Sequence, residues 1–256
     1  MKKLIFCFSI CFLGIFMLCG TKNTFSDNIS QIDYSKYFEH NRGCAVFLKD
    51  GKCYTYNKEI TSIQKSPCST FKIVLTLAGL KYGVLKDENS VIKWDGKKRY
   101  FDEWNKDLSL KEAFKLSAVW YFEKVANEIG KERLTEFIKF ISYGNEDTSA
   151  EIPFWLDSSL KISPEEQAYF LKNLFENKFP IDTQHMGILK QVMRKENING
   201  GTLYGKTGTS GEGNSGWFVG FYEKDNKKIY FAINLFAGEN VSGRQAEKIV
   251  KDIIAG

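Results

Sequence analysis

Apolar and polar positions run in three regimes along the chain. Ala45-Val46-Phe47-Leu48 and Cys53-Tyr54-Thr55-Tyr56 flank Asp50-Gly51, the signal of two strands joined by a two-residue hairpin turn. The apolar run after Ser69 predicts a helix over 69–82 that ends near Gly83. From about 84 to 190 the signals are mostly helical. Leu134, Phe137, Ile138 and Ile141 recur at helical spacing. Ser163-Pro164-Glu165-Glu166 is a capping box with proline at the first helical position, opening a helix through Asn177. The last 55 residues return to strands at Leu203–Thr207, Trp217–Tyr222 and Ile229–Leu235, with a turn at 223–226 between the last two. Ala246, Ile249, Val250, Ile253 and Ile254 then form an i, i+3, i+4, i+7, i+8 stripe, which suits a helix covering one sheet face. This order predicts an α+β fold. The early hairpin and late strands share an antiparallel sheet flanked by helices, and residues 84–190 make an inserted helical lobe. Clefts between lobes are preferred ligand sites, and Ser69 lies where the chain passes from sheet to lobe.

The N-terminus alters the count of what matters. Met1-Lys2-Lys3 precedes an uncharged apolar run from Leu4 to Leu18, followed by polar residues from Thr21. That is the pattern of a secretory signal rather than a membrane span, with Thr24-Phe25-Ser26 offering small residues for cleavage and Cys19 an alternative lipid-attachment point. Residues 1–26 are read as the signal and 27–256 as a single catalytic domain. Without the signal the 36 basic side chains become 33 against 31 acidic ones, and the net charge falls from +5 to +2. A nearly balanced chain with no Lys/Arg block is not built for nucleic acid. Three of the six cysteines leave with the signal. Cys44, Cys53 and Cys68 remain, which allows one disulfide or three free thiols. In the hairpin register Cys44 and Cys53 lie too far apart to bridge, so Cys44–Cys68 is the expected pair.

The candidate chemistry starts at Ser69-Thr70-Phe71-Lys72. A serine and a lysine three apart on a helix share a face, which sets an amine beside a hydroxyl. A serine needs an adjacent base to become a nucleophile. Lysine serves only when neutral or chemically altered, and the apolar neighbours Ile73, Val74, Leu75 and Leu77 favour the neutral form. Alone, Ser-x-x-Lys also describes a helix N-cap followed by a solvated lysine. Lys206-Thr207-Gly208-Thr209 falls on a strand, where Gly208 lets a substrate approach the edge and Lys206 adds positive charge. Ser117 is either the N-cap of the helix carrying Val125, Ala126 and Ile129 or a second hydroxyl that relays a proton. Gly144 and Asn145 suit a helix C-terminus. Gly200–Thr207 matches the phosphate-loop pattern G-x4-G-K-T, but strands rather than a helix follow it, so nucleotide binding is set aside. Two histidines without paired ligand spacing exclude a zinc hydrolase. No G-x-S-x-G elbow anchors an α/β-hydrolase triad.

The order of motifs is more specific than any one of them. Ser69-Thr70-Phe71-Lys72, Ser117-Ala118-Val119, Tyr143-Gly144-Asn145, Phe154-Trp155-Leu156, Lys206-Thr207-Gly208, Gly216-Trp217-Phe218-Val219-Gly220 and Gly243-Arg244 follow one another across residues 43–254. This set resembles the class D (oxacillinase-type) serine β-lactamases of the penicillin-recognising fold. Class A enzymes would show Ser-Asp-Asn where this chain has Ser-Ala-Val. The resemblance implies that Ser69 attacks the β-lactam carbonyl and becomes acylated. It implies that Lys72 carries a CO₂-derived carbamate acting as general base, with no other cofactor and no metal. Trp155 would hydrogen-bond that carbamate, and Val119 would pack over it. Ser117 would pass a proton to the leaving nitrogen. The amides of Ser69 and Thr209 would form the oxyanion hole, and Lys206, Thr207, Gly208 and Arg244 would line and hold the substrate. The partner implied is a small-molecule β-lactam, met by an exported monomer or homodimer that touches a membrane only through Cys19. Two alternatives share the serine–lysine core: a β-lactam sensor that acylates without turnover, and a cell-wall D-Ala-D-Ala peptidase. Sensors tend to carry a polar residue at the position of Val119, and the peptidases usually bring extra domains.

Overall fold

The structure, a computed structural model, describes residues 29–256; the signal and Cys19 lie outside them. The elements in chain order are β1 (Ile29–Gln31), α1 (Ser35–Phe38), β2 (Asn41–Lys49), β3 (Lys52–Tyr56), α2 (Lys72–Lys81), β4 (Val91–Ile92), β5 (Leu108–Ser109) and α3 (Leu110–Leu116). Then come α4 (Val119–Ile129), α5 (Lys131–Phe140), α6 (Pro164–Phe175), α7 (Thr183–Met193), β6 (Arg194–Ile198), β7 (Gly201–Thr209), β8 (Gly216–Lys224), β9 (Lys227–Gly238) and α8 (Gly243–Ala255). Seven strands form one sheet in the order β1-β3-β2-β9-β8-β7-β6. The early hairpin and the late meander meet where β2 runs antiparallel to β9, with Phe47 opposite Phe231. Asp50 and Gly51 at the hairpin tip have φ of 49° and 74°, the left-handed pair that a two-residue turn between twisted strands requires.

Period-two alternation divides the apolar side chains between two cores. Phe47, Phe218, Phe231, Ile233 and Leu235 face the stripe Ala246, Ile249 and Val250 of α8. Val46, Leu48, Trp217, Val219 and Ala232 face the opposite way, into a larger core with α2 to α7. Helix α2 is buried all round from Lys72 to Leu80, as expected of an apolar helix at the centre of a domain. It packs against α4, α5 and α7.

Several expectations change here. Strand β1 pairs parallel to β3, so the sheet is mixed rather than purely antiparallel. Strand β6, Arg194-Lys195-Glu196-Asn197-Ile198, carries no apolar alternation because it is an exposed edge, where charged residues discourage further pairing. Helix α6 packs on β2 and β9, so not every helix between 84 and 190 belongs to the inserted lobe. The segment Gly201–Thr209 is one continuous strand with no phosphate loop. Ser117 is not an N-cap. It ends α3 at φ 57°, and Ala118 precedes α4.

The expected Cys44–Cys68 bridge is not made, and all three cysteines are free and buried. Cys44 lies in mid-β2 opposite Asn234. The Cys68 thiol is instead turned to Ser66 O at 3.6 Å and Asp157 Oδ1 at 3.8 Å. Burial pushes both thiols up to about 12, which leaves them inert rather than nucleophilic.

Candidate active site

Ser69 lies in a single 3-10 turn, Cys68–Phe71, ahead of α2. Three segments hold this turn. The Cys68 amide and the Ser66 hydroxyl both donate to Trp155 O, at 3.1 and 2.8 Å. Trp217 Nε1 of β8 donates to Ser66 O at 2.9 Å. Behind it, Gln167 of α6 donates to Thr70 Oγ1 at 2.8 Å, and that hydroxyl donates to Pro67 O at 2.7 Å. The nucleophile candidate therefore sits on a turn braced from the sheet, from α6 and from the Trp155 loop.

Lys72 opens α2 with its side chain fully buried. Its Nζ lies 2.7 Å from Ser69 Oγ. Among the described residues no carboxylate pairs with it. Its Nζ lies over the Phe122 ring, 5.6 Å from the centroid. Burial removes water from the ammonium and pulls the amine down to about 7, only partly opposed by Cys68 and Glu123. Burial therefore brings Lys72 closer to the neutral amine at neutral pH than an ordinary lysine.

A second pair lies beside the first. Lys206 Nζ of β7 is 2.9 Å from Ser117 Oγ and 3.1 Å from Thr207 O. Burial, and then the neighbouring Lys72, hold this amine well below its usual range. Ser117 is aimed there by its left-handed φ of 57° between two helices, a conformation that costs a non-glycine residue about 1–3 kcal/mol and recurs at functional sites. Val119 follows at the first turn of α4, half-buried.

Strand β7 runs tightly against the Ser69 turn at Gly208. A Cβ on Gly208 would lie 3.0 Å from Pro67 O and 3.1 Å from Thr70 Cγ2. Gly208→Val is therefore expected to cost about 1–3 kcal/mol by overpacking and to push the strand edge away from Ser69. A lowered thermal midpoint together with slowed acylation checks this. Parent values for both would contradict the packing. The start of α8 caps the same edge, with the Gly243 amide donating to Thr209 Oγ1 at 2.9 Å. Arg244 follows, exposed and without an ion-pair partner among the described residues.

Trp155 is fully buried and stacked on Phe71 at 5.4 Å. Its indole N–H has no hydrogen-bond partner, a costly state for a buried donor. Tyr143, Gly144 and Asn145 act differently. The Tyr143 ring packs on Phe71 and Phe170. Gly144 turns at φ 58°, and Asn145 ties Ser159 O and the Lys161 amide. Sequence reasoning missed Ser66, Phe122, Gln167 and Asp157. No motif marks them.

The penicillin-binding protein transpeptidase domain matches residues 24–255. A probable β-lactamase, YbxI of Bacillus subtilis, is 39% identical over 231 residues, covering 89% of this chain and 85% of the relative. The regulatory protein BlaR1 of Bacillus licheniformis is 36% identical over 89% of this chain, which spans only 39% of that relative. The crystal structure of a class D β-lactamase from Bacillus subtilis superposes with a TM-score of 0.83 at 38% identity, covering 87% of this chain and 94% of that one. With the serine–lysine turn, the Ser117–Lys206 pair and the glycine-lined strand on one fold, the chain belongs to the penicillin-binding protein transpeptidase domain family and, within it, to the class D serine β-lactamases.

Proposed function

We propose that this protein hydrolyses β-lactams through an acyl-enzyme on Ser69. The observation that carries the reading is the fully buried Lys72 amine 2.7 Å from Ser69 Oγ. Ser69 Oγ attacks the lactam carbonyl as its proton leaves toward the Lys72 end of the cleft. The amides of Ser69 and Thr209 receive the developing oxyanion. Ser117, held by Lys206 at 2.9 Å, delivers a proton to the lactam nitrogen as the ring opens. Lys206, Thr207 and Arg244 hold the substrate carboxylate beside β7, where Gly208 leaves room for the substrate to approach the strand edge.

The surroundings of Lys72 fit a carbamate formed with CO₂. The amine is buried and lacks a carboxylate partner, and Trp155 Nε1 is a buried donor without an acceptor. Lys72 and Trp155 would hold the group beside Val119, and when present it would supply a general base. Only a neutral amine captures CO₂, so the pH dependence has a definite sign. Turnover without added bicarbonate is expected to rise with pH through about 7, measured as kcat/KM from about pH 5.5 to about 9. A profile that falls over that window would contradict the role of the neutral amine. The same burial makes stability rise with pH between about 7 and the lysine reference of 10.5. Over that window the unfolded chain binds a proton that the folded one does not.

The similarity to BlaR1 favours a second reading, a sensor that acylates and stops. Mixing the purified protein with a chromogenic cephalosporin and bicarbonate separates the two. Sustained turnover supports the hydrolase, and a single stoichiometric burst supports the sensor or a D-Ala-D-Ala peptidase. The valine at position 119, where sensors tend to carry a polar residue, also favours the hydrolase. An exported protein, released or anchored through Cys19, would meet its substrate at the cell envelope.

A further inference from the structure

The sheet face that carries α8 is wider than one helix covers. Ala246, Ile249 and Val250 of α8 pack on Phe218, Phe231 and Ile233. The last turn of α8, with Ile253 and Ile254, instead lines an open groove of about 420 Å³, a volume in the range of small-ligand sites. Tyr54, Phe47, Ile229 and Tyr222, from the four adjacent strands β3, β2, β9 and β8, line it too.

Each of these four strands carries a lysine two residues further toward its hairpin tip. Period-two alternation puts Lys52, Lys49, Lys227 and Lys224 on the same face as the groove residues. Lys49 stands directly opposite Lys52, and Lys224 directly opposite Lys227. Like charges so placed cost stability. The two tips are neighbours, since β2 pairs with β9 as far as Leu48 opposite Tyr230. Lys49, Tyr222 and Ile229 line both the groove and an adjoining depression that also holds Lys224 and Lys227. Among the described residues no carboxylate pairs with any of the four lysines. Glu223 is held by Lys190 and Lys228 at 2.6 and 3.2 Å, and Asp50 and Asp225 occupy the turns. Lys224 donates to Asn199 O at 2.8 Å. The apolar groove thus opens at one end onto facing lysines with no anion between them.

We propose that this groove binds a free single-chain amphiphile with an anionic headgroup, a long-chain carboxylate being the simplest member. The tail lies between the sheet and Ile253 and Ile254. The headgroup meets Lys49 and Lys227 and relieves the repulsion across the ladders. The groove is on the sheet face opposite the core that carries α2 and Lys72, so the proposal stands apart from the β-lactamase reading.

Calorimetric titration with dodecanoate, below its micelle concentration, is expected to show saturable binding of one amphiphile per chain. Decanoate should bind about tenfold more weakly, the scale of two buried methylenes. Lys49→Glu, which reverses the charge beside the headgroup, and Ile254→Gln, which makes the groove wall polar, should each weaken dodecanoate about fivefold or more. Lys49 is exposed and Ile254 half-buried, and Lys49→Glu gives Lys52 an opposite charge to face, so both variants should keep the parent's thermal midpoint. No saturable binding by the parent, or equal binding by parent and both variants, would overturn the site. Two other results would overturn it by naming another occupant. Binding to phosphatidylglycerol vesicles without binding of dodecanoate would make the face a membrane contact. A dimer that Ile254→Gln dissociates, again without dodecanoate binding, would make it a contact between copies of this chain.

Discussion

Lys72→Ala is expected to lower kcat/KM for benzylpenicillin by about 10³-fold or more and to leave the protein folded. A positioned base contributes about 10²–10⁴-fold, and a serine without one is a poor nucleophile. Ser69 Oγ has Lys72 Nζ within 2.7 Å. The fold should survive because removing a buried amine also removes its desolvation cost, which offsets part of the cavity left by the stem. Lys72→Met separates chemistry from packing, since it keeps an unbranched stem of similar length. Both variants should be inactive, with thermal midpoints near the parent's. Turnover by Lys72→Met at the parent rate would remove lysine from the chemistry altogether.

The second large effect concerns Trp155. Trp155→Ala would cost about 3–5 kcal/mol through the cavity alone, so it confuses folding with function. Trp155→Phe keeps the ring stacked on Phe71 and deletes only the unpartnered indole N–H. If that N–H stabilises a carbamate on Lys72, its loss should lower occupancy about 10–100-fold, the worth of a buried hydrogen bond to a charged group. Activity should fall accordingly and return as bicarbonate is added. A structural role predicts something else, namely an equal loss at every bicarbonate concentration or none at all. Either of those outcomes would count against the carbamate.

The hairpin about Asp50-Gly51, the stripe of α8 and the capping box at Ser163 were legible because each is local. A turn residue with φ above zero, a 3.6-residue period or a Ser–Glu reciprocal cap declares itself within a few positions. The serine–lysine pair was legible for the same reason. The Ser117–Lys206 contact bridges 89 residues, and only the order of motifs pointed to it. What the chain could not reveal is set by tertiary packing. Strand β6 has an edge strand's charges instead of alternation. Ser117 is recruited from a helix cap into the cleft by a left-handed backbone that no propensity predicts. Cys44 and Cys68 are kept apart by partners distant in sequence: Asn234 across the ladder from Cys44, and Asp157 against the Cys68 thiol. Ser66 and Gln167, which brace the nucleophile turn, are ordinary polar residues until the fold assembles around them.

Time-resolved intact-mass spectrometry during reaction with excess benzylpenicillin, with bicarbonate present, tests the account most directly. The predicted result is a substrate adduct on Ser69 that forms, persists at steady state while substrate is consumed, and disappears when it is exhausted, regenerating active protein. An adduct that reaches one per molecule and stays would contradict hydrolysis and make the protein a receptor. No adduct at any time, in a folded protein, would contradict Ser69 as the nucleophile.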